Sequence, residues 1–165
     1  MKRILTFMTL LALVLTACEG DPGPPGPQGF PGQDAEIAPG FEIVLDFTPQ
    51  NNYEFIEPYG FEVRPFEVVL VYLQDGSLNG QEAWRLLPQT FFLPNGNPVD
   101  YNYDFTQSFV RFFIDTEDFS LLTSEFLLEQ VFRVIIVPAE NIGRVDLSDL
   151  NAVMNLYGIE SFERR

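Results

Sequence analysis

The sequence predicts a mainly β fold: an antiparallel β-sandwich of about seven strands with one C-terminal amphipathic helix, preceded by a short collagen-like extended segment. Three observations predict it. From Phe41 onward, short apolar runs recur between clusters of Pro, Gly, Asn and Asp. Several of these runs alternate with period two, as half-buried strands do. A single segment near the end has helical spacing instead.

The strands follow in order. In "FEIVLDFT" (41–48), Phe41, Ile43, Leu45 and Phe47 alternate with Glu42 and Asp46. "FEVVLVYLQ" (66–74) is nearly all apolar, as in a central strand. "AWRLLPQTFFL" (83–93) is a strand pair or one bent strand, because Pro88 cannot donate to a ladder. "PNGNP" (94–98) reads as a hairpin turn with Asn95-Gly96 at positive φ. "VDYNYDF" (99–105) alternates throughout; "FVRFFID" (109–115) and "VFRVIIVP" (131–138) follow. In "DLSDLNAVMNLYG", Leu147, Leu150, Val153, Met154 and Tyr157 predict a helix near 146–157 that closes one end or face of the sandwich. Asp146 and Ser148 are its N-cap candidates and Gly158 its C′ residue. "SFERR" (161–165) reads as a frayed tail. The sandwich domain is expected over 37–165, with abundant Phe supplying the core.

The first 17 residues read as a lipoprotein signal peptide. Lys2 and Arg3 form a basic start, and residues 4–17 form an apolar run of 14. A bilayer-spanning helix needs about 20. The run ends in Leu15-Thr16-Ala17-Cys18, the lipobox pattern of a branched apolar residue, two small residues and Cys. The Cys18 thiolate is the nucleophile that would take a diacylglycerol, and cleavage would leave it as the new N-terminus. Two acyl chains at about 0.8 kcal/mol per buried CH₂ make a stable anchor. The bland alternative is an ordinary signal peptide with a chance cysteine. Cys18 is the only cysteine, so no disulfide can form within one chain.

Residues 18–36 form the lipidated Cys and a collagen-like spacer. Gly20, Gly23, Gly26, Gly29 and Gly32 recur every third residue, with five prolines between 20 and 34. Ala35 ends the period. Collagen needs this spacing because only hydrogen fits at the axis of three chains. As polyproline II the segment would span roughly 45 Å, at about 3.1 Å per residue. A stiff single-chain spacer needs no partner. A homotrimer through these triplets is the second reading, disfavoured because five triplets are a small cooperative unit.

Composition excludes several function classes. The formal charge is −15. Losing residues 1–17 removes two of nine basic residues, Lys2 and Arg3, and none of the 24 acids, leaving −17. Beyond Lys2 there is no Lys, and the chain has no His. Nucleic-acid binding needs clustered basic residues, and an electrostatic contact with anionic lipid needs the same. Ser-His-Asp, Cys-His and Cys/His-zinc sites are excluded with them. Carboxylates are what remains for chemistry, as acid/base pairs or as Ca²⁺ ligands.

The candidate site residues follow from that. Asp100, Asn102 and Asp104 have the D-x-N-x-D opening of an EF-hand loop, but Phe105 stands where Gly is needed and Arg111 where a bidentate Glu is needed. A strand with Tyr101 and Tyr103 inward and the polar residues outward is the favoured reading of the same string. Asp115, Glu117 and Asp118 form an acidic turn that offers Ca²⁺ oxygens or simply faces solvent. Asp146 and Asp149 sit where first-turn acids favour a helix dipole. In "NNYEFIEPYGFE" (51–62), Tyr53, Phe55, Tyr59 and Phe61 form an aromatic loop that could stack on sugar rings or dock a partner, or fold back onto the core.

"FEIVLDFT", "NNYEF", "VLVYL", "WRLLPQTFF", "YNYDFT", "QVFRVIIVPA" and "VDLSDLNAVM", behind a lipobox and glycine triplets, resemble a group of uncharacterised collagen-like lipoproteins of the Bacteroidota. The resemblance implies a cell-envelope location and carries no catalytic residues over to this chain. The expected function is therefore a lipid-anchored envelope protein presenting a non-enzymatic interaction domain to an envelope or extracellular partner. Glu19 after Cys18, with no Asp there to retain the chain, favours the outer membrane. A Ca²⁺-dependent carbohydrate-binding module or adhesin is the alternative, and a small carboxylate hydrolase a remoter one; the sequence names no cofactor beyond that Ca²⁺.

Overall fold

The computed structural model describes residues 39–165. Their strands are β1 (Gly40–Leu45), β2 (Glu54–Pro58), β3 (Glu67–Leu78), β4 (Gln81–Leu86), β5 (Gln89–Phe92), β6 (Pro98–Phe105), β7 (Phe109–Thr116), β8 (Gln130–Pro138) and β9 (Glu163–Arg164). Two helices are α1 (Ser124–Leu127) and α2 (Leu150–Tyr157). One sheet has the order β4-β3-β8-β1-β9 and the other β2-β7-β6-β5. All pairings are antiparallel except β1 with β9. The protein is a β-sandwich with a C-terminal helix.

Alternation decides which side chains meet between the sheets. Phe41, Ile43 and Leu45 of β1 join Val69 and Val71 of β3 and Phe132 and Val134 of β8. From the facing sheet come Val99, Tyr101, Val110, Phe112 and Ile114. Phe132 lies at the centre, 5.0 Å from the Phe112 ring and 6.1 Å from Phe47. A second core covers the outer face of the first sheet. Leu70 and Tyr72 of β3 and Ile135 and Val137 of β8 pack under Leu150, Val153 and Tyr157 of α2. The Tyr72 hydroxyl donates to the Leu147 carbonyl at 2.7 Å. With both faces covered, β3 and β8 need apolar residues at successive positions, which is why their runs are continuous. The helix closes a face of the sandwich.

Four local expectations are corrected. The aromatic segment 51–62 is not all loop: β2 runs through it as an edge strand paired with β7. Pro58 is the last residue of that edge strand, where its missing donor is tolerated. The two-residue turn at positive φ joins β3 to β4, with Asn79 at 53° and Gly80 at 80°; in 94–98 only Gly96 takes positive φ. The helix is capped by Asp149, which accepts from the Ala152 amide at 3.1 Å, while Asp146 accepts from Ser148 one turn earlier. The tail is docked: Glu163–Arg164 pair with β1, and the Arg165 amide donates to the Glu42 carbonyl at 2.9 Å. Of the two readings of 83–93, the strand pair holds, since β4 and β5 belong to different sheets and the chain crosses between them at buried Leu87 and exposed Pro88.

Candidate functional site

Cys18, Gly20, Gly23, Gly26, Gly29 and Gly32, with the signal segment, lie outside the described residues. The remaining sequence candidates can be placed. Asp100, Asn102 and Asp104 project from one face of β6. In an extended strand alternate residues stand about 7 Å apart, whereas Ca²⁺ ligands must all lie within about 2.6 Å of one ion. One ion cannot take all three. Asp104 is engaged by Arg111, whose Nε donates at 3.1 Å and whose Nη2 at 2.5 Å. Arg111 also reaches Glu54 at 3.3 Å. Asp100 accepts from the Thr90 hydroxyl at 2.5 Å and stands opposite Asp115 across the β6–β7 ladder. Asp118 accepts from the Ser120 amide and hydroxyl, bonds that hold its carboxyl below the ordinary range. Glu117 is exposed beside it. Among the described residues no three Asp, Glu, Cys or His side chains come together as a metal site.

The aromatic candidates mostly turn inward. Tyr53 stacks on Phe119 with ring centroids 4.1 Å apart. Phe55 packs on the inner core, and Tyr59 is 2% exposed. Its hydroxyl is buried without a hydrogen-bond partner, and burial, then the neighbouring Tyr103, raises its pKa. Only Phe61 is exposed, so the segment offers no flat aromatic platform.

A cleft of about 540 Å³ that sequence reasoning missed takes its walls from both sheets. It lies where β3 slips register between Gln74 and Ser77, with Gly76 at φ 64°. Such bulges bend a strand and re-aim its side chains. Phe91 of β5, Tyr101 of β6 and Phe126 of α1 supply aromatic walls; Asp75, Glu125 and Glu129 supply carboxylates. The wall formed by residues 125–130 is held from several sides. The Tyr101 hydroxyl donates to the Phe126 carbonyl at 2.6 Å. The Gln130 amide donates to the carbonyls of Glu125 and Leu128 at 2.9 and 2.8 Å. Glu129 sits at φ 55°, and its amide donates to Asp46 at 2.8 Å. Asp75 is paired with Arg85. Among the described residues no hydrogen bond or ion pair engages the Glu125 or Glu129 carboxylate. Burial, and secondarily the charge of Glu125, pushes the Tyr101 phenol above its ordinary value of 10.0.

No helix among the described residues is long and apolar enough to cross a membrane. No family model matches the chain, and no similar curated protein or solved structure was found.

Proposed function

We propose that the chain is a lipid-anchored cell-envelope protein whose β-sandwich is a non-enzymatic interaction domain, lifted from the membrane by the glycine-triplet segment. One observation carries this reading. Leu15-Thr16-Ala17-Cys18 runs directly into five Gly-X-Y triplets, ahead of a sandwich whose first described strand begins at Gly40. Acylation at Cys18 supplies the attachment, and the Pro-rich triplets supply reach without needing a folded partner. The cleft at the β3 bulge is where the sandwich engages what it meets. Its volume falls within the range of about 300–1,000 Å³ typical of small-ligand sites. The resemblance to collagen-like lipoproteins of the envelope supports the same reading, and Glu19 after Cys18, with no Asp at that position, favours the outer membrane.

Expression in a Gram-negative host with labelled palmitate tests it. The native chain should carry label and sediment with outer membranes, and Cys18→Ala should lose both. Label retained by Cys18→Ala, or a native chain found only in inner membranes, would refute the anchor or its address.

A further inference from the structure

We infer that the cleft at the β3 bulge takes an organic cation, an ammonium or guanidinium group inserted between Phe91, Phe126 and the carboxylates of Glu125 and Glu129. The inference rests on the reading of this cleft as the interaction site and adds its ligand class.

The lining decides the class. Asp75 is offset by Arg85, while nothing among the described residues offsets Glu125 and Glu129. The cleft is therefore negative, within a chain of formal charge −15 that concentrates cations around it. An anionic ligand would meet no uncommitted cation in the lining. A neutral ligand would gain nothing from Glu125 and Glu129, which stand exposed and charged at the rim of the cleft. A bare divalent ion wants a closed cage of oxygens, and no three such side chains converge here. Aromatic walls serve none of that coordination. They do serve an organic cation, because the ring face attracts positive charge while its carbon surface covers the ligand's methylene groups. The site is also preformed. Tyr101, Gln130 and Asp46 fix the segment that carries Phe126, Glu125 and Glu129 through hydrogen bonds that leave both carboxylates uncommitted. Preorganisation lowers the ordering cost of binding.

The cation has two sources, a basic peptide side chain or a free amine. Titrating the full chain in detergent, with NMR of the Phe91 and Phe126 amides as readout, separates them. The probes are trilysine, spermidine and, as a neutral control, maltohexaose. The charged probes should shift both amides, and Glu125→Gln with Glu129→Gln should weaken that binding at least tenfold with the circular dichroism unchanged. The double variant alters the formal charge by only two, so diffuse attraction to the acidic surface would scarcely respond. Tighter binding of trilysine assigns a peptide side chain; tighter binding of spermidine assigns a free amine. Unchanged cation binding in the double variant overturns the inference. If maltohexaose alone shifts these amides and Phe91→Ala abolishes the shift, the cleft remains the interaction site and the cation class is wrong. If no probe moves them, the cation class and the placement of the interaction site both fall.

Discussion

Replacing Arg133 with alanine should destabilise the sandwich by about 2–3 kcal/mol and leave its strands in place. Arg133 projects from β8 and is 19% exposed. Its guanidinium lies 3.9 Å from the Trp84 ring centroid and 4.8 Å from that of Phe162. It pairs with Glu42 at 3.2 Å and with Glu82 at 3.3 Å. One side chain on β8 thus ties together β4, β1 and the docked tail. Each ring contact contributes about 0.5–1 kcal/mol at this degree of exposure. The shielded pair with Glu42 adds up to about 1 kcal/mol and the exposed pair with Glu82 less. The larger cost of stranding a buried charge does not arise, because Arg164 stays 3.5 Å from Glu42. For a domain of this size the loss corresponds to a fall in Tm of about 10 °C. Thermal unfolding followed by circular dichroism measures it, and Trp84, the only tryptophan, reports the contact by fluorescence. Arg133→Lys should recover only part of the loss, since an ammonium cannot lie flat between two rings. A loss below about 0.5 kcal/mol for Arg133→Ala, or full recovery with Arg133→Lys, would refute the stacking argument.

Three further outcomes are expected. Burial raises the phenol pKa of Tyr59, Tyr72 and Tyr101 above the ordinary 10.0. Unfolded phenols then ionise first and the native state binds more protons, so this stability is intact below pH 10 and lost as pH rises through the raised native values; tyrosinate absorbance should appear together with unfolding, and ionisation of all three near 10 in a folded chain would contradict it. Gly158 ends α2 at φ 66°, and no atom lies within 4 Å of an added Cβ; Gly158→Ala should therefore cost about 1 kcal/mol of backbone strain in a urea titration, and a neutral result would contradict the left-handed cap. Asp100 faces Asp115 across the ladder; Asp115→Asn should raise stability by a few tenths of a kcal/mol, and millimolar Ca²⁺ should leave the native Tm unchanged, whereas a Ca²⁺-dependent rise lost in Asp115→Asn would restore a metal site on this face.

The fold was legible where burial leaves a local pattern. β1, β6 and β7 alternate because one face is buried, and β3 and β8 run apolar because α2 covers their second face. β2 was hidden. Asn51, Asn52, Pro58 and Gly60 signal turns around a five-residue edge strand, and the inward Glu57 breaks its alternation. The reason Glu57 is tolerated lies 108 residues away, where Arg165 meets it at 3.3 Å. The same distance effect removed the aromatic platform, since the partner of Tyr53 is Phe119. The D-x-N-x-D string lies in an alternating strand, as its period of two predicts, and that geometry spreads its oxygens too far for one ion. The cleft left the faintest trace. Phe91, Tyr101 and Glu125 come from separate elements, and only the Asp75-Gly76 pair inside an otherwise strand-like run marked the bulge around which they gather.

Lipid attachment at Cys18 is tested most directly by intact mass spectrometry of the chain extracted from membranes. The predicted species begins at Cys18, lacks residues 1–17 and carries a diacylglycerol on the cysteine. A chain that still begins at Met1, or a cleaved chain recovered from the soluble fraction without lipid, would contradict the anchored reading.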